Sequence, residues 1–307
     1  FPLSWDGARA FAAELYDQLL RELASVEDAF LAARAKLSRR ASFDWASLQL
    51  YAREADGDGH HVLNARPYRG LAAFTAEHAR FFFGREAEVE ELCADLDLLC
   101  AEGRARFMVV SGASGTGKSS LVMAGAIPRW ARTTPDGRFD HVVIRPGASP
   151  HEALALAAVK VEAARTCLRF VVVVDQFEEL FTHDGDRGAA LRFARALWEW
   201  ATDPDANVCV VVTIRVDFLA RCSEVVLEDS GLRLDKVASD PRHQVMVAQM
   251  APEQLTAAIE RPARAAGLHL EEGLAQLVVR DVEAEPGALP LMSHALYLLW
   301  LHRTDRV

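Results

Sequence analysis

The sequence predicts a doubly wound α/β domain followed by a helical domain, and three observations carry that expectation. Five short, Val-rich apolar runs lie far enough apart for a helix to cross over between each pair, a glycine-rich loop ending in Lys-Ser follows the first run, and beyond residue 250 the apolar spacing turns wholly helical. The chain has 307 residues, 51% apolar and 25% charged, with 18 Gly, 12 Pro and 5 Cys, which excludes collagen-like, disordered and disulfide-stapled classes. At roughly 150 residues per domain, about two domains are expected. A net charge of −10 argues against broad attraction to nucleic-acid phosphates or anionic lipid, and no run supplies a local basic patch.

Taken in order, residues 1–54 open with Phe11, Leu15, Leu19, Leu23, Val26 and Phe30 at helical spacing between Asp6 and about Leu37, which predicts one or two amphipathic helices. A short strand-like run follows at Leu48 to Tyr51. Residues 52–66 are polar, carry Gly57 and Gly59 and have no periodicity, so a linker is set at 55–66. His60 and His61 within it read as a solvated loop, since no Cys or carboxylate stands at a ligand-like offset. No initiator Met or signal peptide precedes Phe1, so the chain is expected to be a piece of a longer protein.

The core is expected over 67–250. Its runs at 107–111, 141–145, 170–175, 208–214 and 244–250 are continuous and apolar, as strands buried on both faces of a mainly parallel sheet are. A helical lid is expected over 251–307, with Pro252 near a first turn, Pro262 limiting that helix, and further helices at Leu274 to Val282 and Leu291 to Leu301. The cysteines 93, 100, 167, 209 and 222 contain no C-x-x-C and suit reduced, cytoplasmic thiols. Cys93 and Cys100, seven apart on one helix face, are about 10 Å apart along the axis and read as packing residues. The most apolar late stretch, 284–302, is interrupted by Pro286, Gly287, Pro290 and His294, so no membrane span is expected.

Gly112, Ala113, Ser114, Gly115, Thr116, Gly117, Lys118 and Ser119 match G-x-x-x-x-G-K-[ST] between a strand and a helical pattern, the context that a phosphate-binding loop needs. Glycines let successive N–H groups point inward, and the helix that follows, from Ser119 and Ser120 onward, adds its positive end. Lys118 would meet β- and γ-phosphate oxygens, and the Ser119 hydroxyl would ligate Mg²⁺. Asp175 ends the run VVVVD and is the expected acid for the water shell of that ion. Glu178 or Glu179 can polarise an attacking water; both are also plain acids of a helix start. Arg215, at the carboxyl edge of the fourth run, can read a γ-phosphate or pair with Asp217.

With these residues in hand the chain resembles the STAND class of P-loop ATPases, specifically the novel STAND NTPase family. The resemblance covers Pro67 to about Arg303 and is carried by PYRGLAAF (67–74), FFFGREAEVEEL (81–92), SGASGTGKSSLV (111–122), VVDQFEELFT (173–182), TIRVDFLARC (213–222), IERPARAAGL (259–268) and EPGALPLMSHAL (285–296). It implies bound ATP or ADP with Mg²⁺, Gly84, Arg85 and Glu86 near the adenine, and Gly287 to Pro290 closing over the base. It implies likewise that Asp175 is the Mg²⁺ acid, that Glu178 or Glu179 supports hydrolysis, and that Arg215 is the sensor arginine. Read from the residues alone, Gly84-Arg85 and Leu289-Pro290 are a helix start and a turn. The short span between the second run and Asp175 departs from the family and suggests one helix there instead of two. The family's pattern continues into a winged-helix domain and C-terminal sensor repeats, which are expected to lie beyond Val307.

SFDWASLQLYARE (42–54) resembles the last helix and strand of a CHAT domain, a caspase-like cysteine peptidase, whose catalytic pair would lie upstream of Phe1; an unrelated helical segment is the alternative. The expectation as a whole is a cytoplasmic ATP-binding, slowly hydrolysing switch. It would self-associate with ATP bound and control an upstream protease-like effector, under downstream sensor repeats and without direct nucleic-acid or membrane contact. A nucleotide-loaded scaffold without turnover is the rival. A small-molecule kinase or GTPase is weaker, because no N-K-x-D is present to read guanine.

Overall fold

The computed structural model describes residues 5–20, 26–38, 66–101, 103–134, 138–164, 167–182, 187–283 and 287–303. The strand-like run 48–51, the linker 55–66 with its His pair, the segment 42–54, and Glu285 and Pro286 lie outside the described residues. The first helices, α1 (Trp5–Leu20) and α2 (Val26–Ser38), form the expected amphipathic pair. Phe11 meets Phe30 edge-on at 5.5 Å, and Lys36 pairs with Glu14.

Five parallel strands make one sheet in the order β2-β3-β4-β1-β5: β1 (Phe107–Gly112), β2 (Phe139–Ile144), β3 (Arg169–Val174), β4 (Val208–Arg215) and β5 (Gln244–Met246). The Val-rich runs form the centre because β-branched side chains pack on both faces of a pleated surface. Phe107, Val109, Val172, Val174, Val210 and Val212 face one layer, made by α6 (Pro150–Ala163), α8 (Arg187–Thr202) and α9 (Leu234–Ala238). Met108, Val110, Val171, Val173, Cys209 and Val211 face the other, made by α3 (Glu86–Ala101) and the helix that follows the loop. Between β2 and β3 the described residues hold one helix, α6, as the short span suggested.

Three boundaries differ from the sequence pattern. β5 pairs only over Gln244–Met246, since its partner β1 ends at Gly112 and turns into the loop. The helix after the loop is α4 (Lys118–Ser120), a π-turn over Leu121–Ala126 and α5 (Ile127–Thr133). The wider turn sits where Gly125 packs so closely on Val89 that an added Cβ would lie 2.4 Å from its Cγ2. Pro262 does not end its helix: α10 runs Pro252–Ala265, with Pro262 inside its last turn. Proline removes one donor and pushes neighbouring carbonyls off the ladder, and the buried Tyr68 hydroxyl donates to one of them, Ile259 O, at 2.6 Å. Together with α11 (Leu274–Glu283) and α12 (Leu289–Leu301), α10 builds a separate small core around Ile259, Val279, Met292 and Leu296. Among the described residues no helix is long and apolar enough to cross a membrane.

Candidate functional site

The strand order puts β4 between β1 and β3, so the loop after β1 and the acid after β3 face each other across one strand. Thr213 of β4, opposite Val110, fills that gap. Buried polar side chains are the informative exceptions in a core, and Thr116, Lys118, Asp175 and Thr213 gather here, each at most 9% exposed. The Asp175 carboxylate is fully buried. Ser119 Oγ donates to its Oδ1 at 2.5 Å and Thr213 Oγ1 at 2.8 Å, while Arg145 donates to Oδ2 from Nε at 3.0 Å and from Nη2 at 2.7 Å. Lys118 Nζ donates to the carbonyls of Gly112 and Ala113 at 3.0 and 2.7 Å. Burial lowers its pKa, and the negative field of Glu178 works against that shift.

The two glutamates that the sequence leaves undecided separate in space. Glu178 lines the cavity beside Lys118 and accepts the Arg215 amide at 3.3 Å, and burial raises its pKa. Glu179 begins α7 (Glu179–Thr182) and accepts the Gly147 amide at 2.8 Å. The turn carrying them is forced at Gln176, whose φ of 58° lies in the left-handed region, costing a non-glycine residue roughly 1–2 kcal/mol. Thr213 holds that turn: its hydroxyl accepts the Gln176 amide at 3.0 Å, and its carbonyl accepts that of Phe177 at 2.9 Å. Arg215 lines the cavity but is forked onto Asp217 at 3.1 and 2.7 Å and stacked 5.4 Å from Phe218.

Lys118, Ser119, Arg145, Glu178, Thr213 and Arg215 form the polar end of a cavity of about 750 Å³. Its other end is apolar and comes from three separate parts of the chain: Phe74 and Phe83 ahead of α3, Met250 ahead of α10, and Leu289, Pro290 and Met292 of α12. Among the described lining residues Glu178 is the one carboxylate. The lid touches the loop directly, since an added Cβ on Gly115 would lie 3.0 Å from Gly287 O and 3.1 Å from Pro290 Cδ. Ser114 and Gly117 line the cavity with them, and Ser120 Oγ accepts the Phe74 amide at 3.1 Å.

Arg85 lines the cavity and Gly84 stands beside it, and both are held by contacts to the protein itself. Arg85 is 4% exposed, and its guanidinium donates to Glu88 Oε1 at 2.7 Å, Thr116 O at 3.2 Å and Ala248 O at 2.7 Å. It borders the cavity while bracing the loop against α3 and the approach to α10. Gly84, with φ of 86°, presses on α10, where an added Cβ would lie 2.4 Å from Gln254 O. Glu86 lies outside the cavity lining, accepts the Gly84 amide at 3.1 Å and pairs with Arg261 at 2.5 Å.

Thr213, Arg145 and Gln176 belong to this site and were not singled out from the sequence. Thr213 had a signal, a hydroxyl inside an otherwise apolar run; Gln176 had none, because its strain is a property of the backbone alone. The donor set suits a small hard cation: a hydroxyl and a carboxylate lie 2.5 Å apart at the end of the loop. No group of three His, Cys, Asp or Glu among the described residues could hold a metal unaided, so such an ion would depend on phosphate oxygens for its remaining ligands.

The family model described as Novel STAND NTPase 1 matches residues 67–307. No curated protein matches the chain. Among solved structures, the ORC2 protein of Aeropyrum pernix, in ADPNP-ADP complexes, is similar at 13% identity and a TM-score of 0.53 over 73% of this chain and 65% of its own. The ORC1 protein of Aeropyrum pernix, in complex with DNA, has 16% identity and a TM-score of 0.49 over 75% of this chain and 64% of its own. A Walker-type ATPase of Pyrococcus abyssi has 15% identity and a TM-score of 0.48 over 77% and 73%. The chain thus spans under two thirds of the length of both ORC relatives, and the ORC2 likeness at this identity speaks to the fold alone. The family match extends over the whole sheet, the loop and the lid helices, and on that ground the chain belongs to the novel STAND NTPase family.

Proposed function

We propose that the chain is an ATP-binding, slowly hydrolysing switch in which the terminal phosphate decides how the helical lid sits. The observation that carries this reading is the meeting of loop and lid at one cavity: Gly115 lies against Gly287 and Pro290, and Gly117 against Leu289. A ligand shifts a two-state equilibrium only through contacts that differ between the states, and a phosphate in this loop lies next to the lid.

In this reading the amides from Ala113 to Ser119 hold the β- and γ-phosphates, and Lys118 exchanges two loop carbonyls for phosphate oxygens. Ser119 and Asp175 hold Mg²⁺, which when bound neutralises charge on the transferring phosphate. Glu178 takes the proton of the attacking water, for which its raised pKa makes it a better acceptor. Glu179 shapes the loop at Gly147. Arg215 is released from Asp217 to the γ-phosphate. The base lies on the apolar end, where no carboxylate among the described lining residues offers the acceptor pair that guanine needs, which favours adenine. Arg85, which lines the cavity, and Gly84 beside it stand near the base, and Pro290 closes the lid side. The domains follow as a nucleotide-binding core at 67–250 and a lid at 251–307. Residues 1–54 would end an upstream caspase-like effector in the cytoplasm, joined through 55–66 and controlled through self-association of the ATP-bound form.

The test compares ATP affinity and particle mass for wild type and Lys118→Ala. Lys118→Ala is expected to lose at least about tenfold in affinity and all ATP-dependent gain in mass. Equal affinity in the two proteins would end this reading. Single-turnover release of phosphate reports the chemistry. Full retention of the γ-phosphate over hours by a self-associating sample favours the scaffold without turnover.

A further inference from the structure

Asp175 is the most heavily used carboxylate of the site, and one of its partners is a poor match for a metal-binding acid. Arg145 follows the last residue of β2 and is level with Asp175, whose amide donates to Ile144 O at 2.9 Å. Two donors of its guanidinium converge on Oδ2, while Ser119 and Thr213 take Oδ1. An ionised carboxylate offers about four acceptor sites, so all are filled. Metal-bound water can be accepted there only if a present donor leaves.

We propose that Arg145 is a phosphate-reading arginine that gives up Asp175 for the terminal phosphate of the nucleotide when a divalent cation takes the carboxylate. The inference rests on the nucleotide reading above. A divalent ion on Asp175 would place two cations against one fully buried carboxylate, and such repulsion is poorly screened away from water. Of the pair, Arg145 is the partner able to move: its side chain is 52% exposed, against 0% for Asp175, and it already lines the cavity. The exchange keeps the guanidinium paired with an anion throughout, and its fork suits phosphate as well as carboxylate. Arg215, the other arginine at this end, starts from an exposed pairing with Asp217 that a metal on Asp175 does not disturb. A diphosphate lacks the γ-phosphate that Arg145 turns to in this exchange, so the exchange discriminates ATP from ADP.

The experiment titrates wild type, Arg145→Ala and Arg145→Lys with ATP and ADP by calorimetry, each with Mg²⁺ and with EDTA. With Mg²⁺, Arg145→Ala should lower the ratio of ATP to ADP affinity about tenfold, and Arg145→Lys, which keeps the charge without the fork, should recover part of it. In EDTA the wild-type ratio should fall by a similar factor, because Arg145 stays on Asp175. An Arg145→Ala ratio within about twofold of wild type in Mg²⁺ overturns the proposal. So does an equal loss for ATP and ADP, which would make Arg145 a positioning residue for Asp175. A wild type that binds neither nucleotide overturns the underlying reading too. Should thermal unfolding find Arg145→Ala unfolded, the Arg145→Lys ratio decides: intermediate supports the exchange, and unchanged from wild type in both Mg²⁺ and EDTA overturns it.

Discussion

Burial raises the Glu178 carboxyl above its ordinary value because the water lost by the half-buried side chain outweighs what it gains from its own amide, the Arg215 amide at 3.3 Å and the fields of Lys118 and Arg215. A base must be ionised, so under the proposed mechanism single-turnover hydrolysis should decline as pH falls through this raised pKa, at a higher pH than for an exposed carboxylate. Glu178→Gln should slow hydrolysis by about 10²-fold or more and leave ATP affinity nearly unchanged, whereas Glu179→Gln should retain both the rate and its acid limb. The stability sign runs the other way. A folded-state pKa above the unfolded one contributes stability below the unfolded value, and that contribution is lost as pH rises through the folded pKa. Near neutral pH folding therefore carries a cost for ionised Glu178, and Glu178→Gln should not lower the melting temperature. A slow Glu179→Gln with a normal Glu178→Gln would reverse the assignment. The sequence offered two adjacent acids of one type; what separates them is the forced turn at Gln176, which sends one side chain into the cavity and the other to Gly147.

At the level of elements, the central strands were legible because a strand covered on both faces must be apolar throughout, and β1, β3 and β4 are buried almost end to end. The edges were less so. β2 mixes buried and exposed positions, and β5 is cut short by the turn of its neighbour, so their apolar runs do not coincide with their pairing. Periodicity is equally blind to the π-turn at Leu121–Ala126 and to the proline that α10 carries through its last turn. Gly84 exemplifies the difference between a motif and its cause. The residues around it read as a helix start, yet the glycine is there because backbone must pass backbone: φ is 86° and Gln254 O would lie 2.4 Å from a Cβ. Gly84→Ala should therefore cost about 2–4 kcal/mol of stability in denaturant unfolding, combining left-handed strain with the clash on α10. A loss below about 1 kcal/mol would mean that α10 yields easily.

On the scale of the whole molecule, the phosphate end of the site could be read from the contiguous loop Gly112 to Ser119, because a loop that curls around an anion is local, and from Asp175 at the end of an apolar run. The apolar end could not, since it is assembled from Phe74 and Phe83, Met250 and Met292, which only the fold brings together. That assembly ties the segment ahead of α3 to both halves. Tyr68 donates to Ile259 O in the lid, Arg66 lies 5.9 Å over the Trp300 ring, and the Phe74 amide donates to Ser120 beside the loop. A nucleotide filling the cavity would touch all three walls at once, adding to these contacts, and should stabilise them as one unit. At a hundredfold excess over its Kd the ligand adds about 2.7 kcal/mol to every opening that must release it. Hydrogen–deuterium exchange with and without ATP and Mg²⁺ should thus slow together in residues 66–75, in the loop and its helix, and in α10 and α12, while α8 on the far face of the sheet changes little. Protection confined to the loop would break the link between phosphate and lid: the site would bind nucleotide without transmitting its state.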